Sequence, residues 1–294
     1  MFSLIRISLF SFLFTIISSL SYNAFAVFTN ASEGADVAVC SKTDNPMMAT
    51  TAGDVSCRTT PEKYEISVFE MGVCKEHPFT NNGTKTDLLT MDKSSCSVTF
   101  TATDQSLGSV IDIAKNIGGS VDLVGASTRP ADGTYGFPYV ILRDKFSVGM
   151  SILAGDGQTY NGDASANVAT GGTSVAYDDL LRNFGANCTS GYVGATIPIG
   201  TIDAFITNSS LQRSETTGGA HVSAGQCVKQ GRLVGIINLT APFTIDANTT
   251  KMQFNFIITD YGINMTDTDN DGFPDEYGSA PFSGTFTILS LPTQ

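Results

Sequence analysis

The sequence predicts an all-β protein, an antiparallel β-sandwich or barrel-like domain with disulfides and few short helices. Three observations carry this. Apolar and polar residues alternate over several short runs, as on a half-buried pleated strand. Pairs of Gly, Asn and Asp punctuate those runs at turn-like intervals. Helical periodicity is nearly absent, and six Cys are available for cross-linking.

Along the chain, Met1 to Arg6 forms a short basic start and Ile7 to Leu20 an apolar run. Ala24-Phe25-Ala26 then supplies the small residues that a signal peptidase reads. Residues 1–26 are therefore expected to be a signal peptide, cleaved before Val27. The apolar run is short for a membrane span, which needs about 20 residues. No transmembrane helix is expected after cleavage. The protein is expected to be exported, to the extracellular space, the cell surface or the periplasm.

Residues 27–105 form a Cys-rich N-terminal β region with Cys40, Cys57, Cys74 and Cys96. Cys188 and Cys227 stand alone later. The spacing favours two bridges among the first four Cys and one between Cys188 and Cys227. No CxxC spacing supports zinc or thiol redox chemistry. Lys63 to Val68 alternates cleanly and reads as a strand. The mature start, Val27 to Cys40, is a candidate strand for donation to a neighbour's sheet edge.

Residues 106–294 form the main β domain. Ser109–Asn116 and Tyr177–Phe184 are the best helix candidates; the acids of the second suit a helix N-terminus. Pro138–Ile152 and Gly231–Leu239 are continuously apolar, as for strands buried on both faces. Met252–Phe256 and Phe282–Ile288 alternate again. Turns are expected at Asn82-Gly83, Asp132-Gly133, Gly155-Asp156-Gly157, Asn161-Gly162, Gly171-Gly172 and Gly218-Gly219. Asp156–Ser174 reads as an exposed polar loop, and Asn208–Gly219 as a second one.

One motif carries defined chemistry. Asp267-Thr268-Asp269-Asn270-Asp271-Gly272-Phe273-Pro274-Asp275 places carboxylates at positions 1, 3, 5 and 9. Glycine stands at position 6, where a sharp turn is needed, and a backbone carbonyl (Phe273) at position 7. Hard oxygens in that order suit calcium. The stretch, over residues 267–278, resembles the DxDxDG calcium loops of thrombospondin type 3 repeats and the EF-hand-like loops of secreted bacterial surface proteins. The resemblance implies a structural calcium ion held by Asp267, Asp269, Asp271, the Phe273 carbonyl and Asp275. The acid expected at position 12 is replaced by Gly278, and either Glu276 at position 10 or a distant carboxylate would have to substitute. Strand patterns on both sides place the loop between two late strands, outside a true EF-hand.

Composition narrows the function. The chain of 294 residues has 16 Lys plus Arg against 28 Asp plus Glu, a formal charge of -12. Nucleic-acid partners are not expected, because phosphate contacts need basic clusters. Two His, His77 and His221, leave little material for a Ser-His-Asp set, and no GxSxG or HExxH motif occurs. A glycosidase needs two carboxylates; Asp112, Asp178 and Asp179 lie near expected regular structure, but nothing distinguishes them from solvated charges. Tyr135, Phe137 and Tyr139 form an alternating aromatic row, suited to sugar stacking or to core packing.

The reading these features favour is an exported, non-catalytic structural or surface protein stabilised by disulfides and calcium. A subunit of an extracellular filament or coat, joined to itself or to other surface proteins, fits best. A secreted carbohydrate-binding module with glycan partners is the second reading, and a secreted hydrolase the third.

Overall fold

The computed structural model describes residues 38–49, 56–80, 88, 90–181, 192–197, 199–213, 231–280 and 283–290. The expected signal peptide, the Cys188–Cys227 bridge, His221, Asn82-Gly83, Gly218-Gly219 and most of Val27–Cys40 lie outside these residues.

Twenty strands occur among the described residues. The first half holds β1 (Ser56–Thr59), β2 (Lys63–Cys74), β3 (Cys96–Ala102), β4 (Ser109–Asp112), β5 (Gly125–Ser127), β6 (Gly133–Tyr135), β7 (Phe137–Leu142), β8 (Lys145–Gly149), β9 (Ser151–Leu153) and β10 (Thr159–Gly162). The second half holds β11 (Val168–Thr170), β12 (Tyr177–Leu180), β13 (Tyr192–Ile197), β14 (Gly200–Thr207) and β15 (Arg232–Leu239). It continues with β16 (Phe243–Ile245), β17 (Thr249–Ile257), β18 (Ile263–Thr266), β19 (Glu276–Ser279) and β20 (Ser283–Ser290). The helical content is two single-turn 3₁₀ segments, Pro46–Ala49 and Ile113–Asn116.

All the strand ladders are antiparallel, and the layers pack as a sandwich, as the alternation predicts. The largest sheet has ten strands, with the order β12-β8-β2-β7-β15-β14-β13 along its main path. Its axis is β2, whose alternating start buries Tyr64, Ile66 and Val68 and leaves Lys63 and Glu65 half-exposed. The long β2 is flanked on one side by β8 and then β7, and on the other by β4 and then β3. Strands from either side of residue 105 thus share this sheet.

The sheet is covered on both faces. Val140 and Leu142 enter one core with Tyr64, Phe146, Cys57, Met265 and Tyr277. Tyr139 and Ile141 point the other way and pack with Phe69, Phe79, Met91 and Phe205. Burial on both faces is why β7 and β15 read as continuous apolar runs, where a half-wet antiparallel strand would alternate. Two bridges cross-link the frame: Cys40–Cys57, 17 residues apart, and Cys74–Cys96, 22 apart. Both join members of the first four Cys, as the spacing predicts. Cys74 and Cys96 face each other across the β2–β3 ladder.

Three sequence expectations are corrected. Tyr177–Phe184 is not a helix where described: Tyr177–Leu180 is β12, paired with β8. Its acids face partners, Asp178 binding Lys145 at 2.6 Å and Asp179 accepting from Ser279. Ser109–Asn116 divides into strand β4 and one 3₁₀ turn, capped by Asp112 accepting from Ala114 N. Asp156–Ser174 is not a plain loop either. It contains β10 and β11, which form a hairpin with Tyr160 and Asn161 buried. Asn161-Gly162 is accordingly strand, while Gly155-Asp156-Gly157 makes the turn between β9 and β10.

Candidate functional site

The motif loop closes the β18–β19 hairpin, whose ladder ends at Thr266 opposite Glu276. Asp275 N donates to Thr266 O at 2.8 Å, sealing the base of the loop. Within it, Asn270 and Gly272 take positive φ of 61° and 89°. These are the residue types that tolerate such backbone, so the loop turns sharply without strain.

The turn brings Asp267, Asp269 and Asp275 together, with one carboxylate oxygen from each within 4.8 Å of the others. Asp267 is buried, at 6% exposure. Its two oxygens accept from Asn270 N at 2.7 Å and Gly272 N at 2.8 Å. Asp275 Oδ2 accepts from Thr268 N and Oγ1, at 2.7 and 2.8 Å. Those bonds, the backbone one first, lower its pKa below the usual carboxylate range. No Lys or Arg forms an ion pair with any of the three among the described residues.

The other sequence-named residues sit apart from this cluster. Asp271 is exposed, and its Oδ1 accepts from Phe273 N at 2.8 Å. Phe273 is exposed. Glu276 is exposed in β19, bridged to Asn167.

Two neighbouring segments brace the loop, and sequence reasoning missed both. Asn45 Nδ2, just after the bridged Cys40, donates to Gly272 O at 2.7 Å. On the other side Val168 N donates to Asp275 O, and Tyr277 N to Ala166 O. Tyr277 Oη lies within bonding distance of Asp163 O and Val175 O, both at 3.1 Å. Nothing in the local pattern around Asn45 or Asn167 signals these long-range contacts.

No family model, curated protein or solved structure matches the chain. The chemistry is therefore read from the residues alone. Three carboxylates without a Cys or His form a hard-oxygen set that can hold a metal ion.

The candidate catalytic residues are held in structural bonds. His77 Nδ1 accepts from Phe79 N at 3.2 Å, which fixes the proton on Nε2, facing Asp203 Oδ2 at 3.1 Å. Both ring nitrogens are engaged, so the imidazole has none left to take a nucleophile's proton. Asp112 Oδ1 accepts from Tyr64 N and Ala114 N. A groove of about 890 Å³ lies between Met71, Phe100 and Ile111 and the strand β17, and among the described residues Asp122 is the one carboxylate residue in its lining. Tyr135 and Tyr139 are buried in packing, while Phe137 between them is partly exposed.

Proposed function

We propose that the chain is an exported, non-catalytic structural protein whose late hairpin is held by a calcium ion. The observation that carries the reading is Asp267: a buried carboxylate, two further carboxylates within 4.8 Å, and, among the described residues, no cationic side chain paired to any of them. A buried charge needs a partner or a metal, and like charges crowded together raise that need. Calcium suits an all-oxygen set and the loop spacing of residues 267–275. The ion would clamp the β18–β19 hairpin, and through β1 the Cys40–Cys57 bridge, into one unit. Two disulfides, and no helix long and apolar enough to cross a membrane among the described residues, are compatible with an extracellular location.

Self-association is the role this frame supports. Among the described residues β13 pairs on one side only, with β14. Its sequence, Tyr192-Val193-Gly194-Ala195-Thr196-Ile197, carries no charge and no proline. Those are the devices by which proteins usually blunt a sheet edge, and an edge without them invites another strand. Negative-stain microscopy of the mature chain, with calcium and then with chelator, tests this. Filaments or sheets in calcium are expected. Monodisperse particles in both conditions would overturn the assembly reading while leaving the calcium site to its own test.

A further inference from the structure

Strands β7 and β15 pair with Leu142 opposite Leu233 and Ile141 opposite Val234. Arg143 and Arg232 are the next residues beyond this paired stretch, and the Arg143 charge acts on Arg232. Like charges held near one another repel. Yet both guanidiniums are pinned to one turn. Arg143 Nη2 donates to Ser106 O at 3.0 Å, and Arg232 Nη2 to Gln105 O at 3.4 Å. Arg232 Nη1 donates to Gly231 O at 2.9 Å, and its Cζ lies 3.5 Å from the centre of the Phe69 ring. The aromatic face offsets part of the charge and fixes the plane of the fork.

Six other basic residues form ion pairs: Lys42, Lys63, Lys93, Lys115, Arg129 and Lys145. Among the described residues, Arg143 and Arg232 form none. Two carboxylates stand near: the Asp104 charge interacts with Arg143, and the Asp144 charge with Arg232. Asp144 Oδ2 accepts from Gly231 N at 2.9 Å. Asp104 Oδ1 accepts from Ser106 N, Ser106 Oγ and Leu107 N. Burial first, and then Arg143, pull the Arg232 pKa below its ordinary value, with Asp144 opposing. Each guanidinium has five N–H donors, and among the described residues the pair makes three side-chain hydrogen bonds to protein.

We propose that Arg143 and Arg232, on the Phe69 platform, form a binding site for a sulfate-type oxyanion, free or carried on a polysaccharide. Two forks need two oxygen edges; a tetrahedral oxyanion has them, and a planar carboxylate has one. The bound anion turns the repulsion between the two arginines into a shared attraction. This site stands independently of the calcium reading.

The test is titration of the full mature chain with sodium sulfate at low ionic strength, beside Arg143→Gln, Arg232→Gln and Arg143→Lys. Saturable binding is expected, weakened about tenfold or more in either Gln variant. Arg143→Lys keeps the charge but loses the fork, and is expected to fall between. In sulfate-free buffer, Arg143→Gln is expected to unfold at the same temperature as the native chain or higher, because a repulsion has gone. A purely structural arginine would give a lower temperature regardless of sulfate. Dextran sulfate binding more tightly per sulfate than the free ion would identify a polymer-borne group, and equal affinity the free ion. No saturable sulfate binding, or unchanged binding in a folded Arg232→Gln, would overturn the proposal.

Discussion

Replacing Asp267 by Asn separates the two contributions the buried carboxylate makes. Its oxygens accept from Asn270 N and Gly272 N. An amide keeps one acceptor and turns the other toward an N–H, so one hydrogen bond is lost, at about 1 kcal/mol. In chelator this loss is opposed by relief of repulsion with Asp269 and Asp275, and the variant should unfold close to the native chain. In calcium the native chain gains the binding term as well. With free calcium about 100-fold above a dissociation constant of about 10⁻⁴ M, that term is about 2.7 kcal/mol. For a chain of this size it corresponds to roughly 5–10 °C in melting temperature. The assay is thermal and urea unfolding of both proteins, followed by circular dichroism, with calcium and with chelator. The expected signature is a gap between variant and native chain that opens only in calcium. The same gap in both buffers would refute the reasoning and make Asp267 a loop-capping residue alone.

Other outcomes follow from the frame. Replacing Cys74 and Cys96 together by Ala should cost about 3 kcal/mol in urea unfolding, the loop-closure term for a separation of 22 residues. Tyr277→Phe removes a buried hydroxyl that reaches Asp163 O and Val175 O, and should cost about 1–2 kcal/mol without abolishing the fold. The carboxyls of Asp92, Asp104, Asp163 and Asp178 are held below their ordinary pKa, chiefly by hydrogen bonds from Ser94, Ser106, Ser165 and Lys145 respectively. A lowered folded pKa gives stability that is present above the unfolded value, near 4, and lost as pH falls through the folded ones. Urea midpoints should therefore drop on acidification below about pH 4, and a flat or rising profile would contradict this.

The sequence disclosed the fold class because alternation is a local property. Lys63–Val68 and Met252–Phe256 show it, and both are strands. The continuous runs at β7 and β15 also disclosed their two-sided burial. Misreadings arose where a strand carries polar residues for tertiary reasons. Asp178 and Asp179 imitated a helix start, but their partners, Lys145 and Ser279, are remote in sequence. Asp156–Ser174 was polar enough to pass for a loop, yet Tyr160 and Asn161 are buried in its hairpin. At the candidate site, the spacing of Asp267, Asp269 and Asp275 named the three acids that converge. It could not show that Asp271 turns to Phe273 N, or that Asn45 and Val168 brace the loop from distant segments.

The most direct test of the calcium site is equilibrium dialysis of the native mature chain against calcium, beside Asp267→Asn. Saturable binding with a dissociation constant of about 10⁻⁴ to 10⁻³ M, lost in the variant, is the expected result. No saturable calcium binding, or binding that Asp267→Asn leaves unchanged, would contradict the assignment of the 267–275 loop as the metal centre.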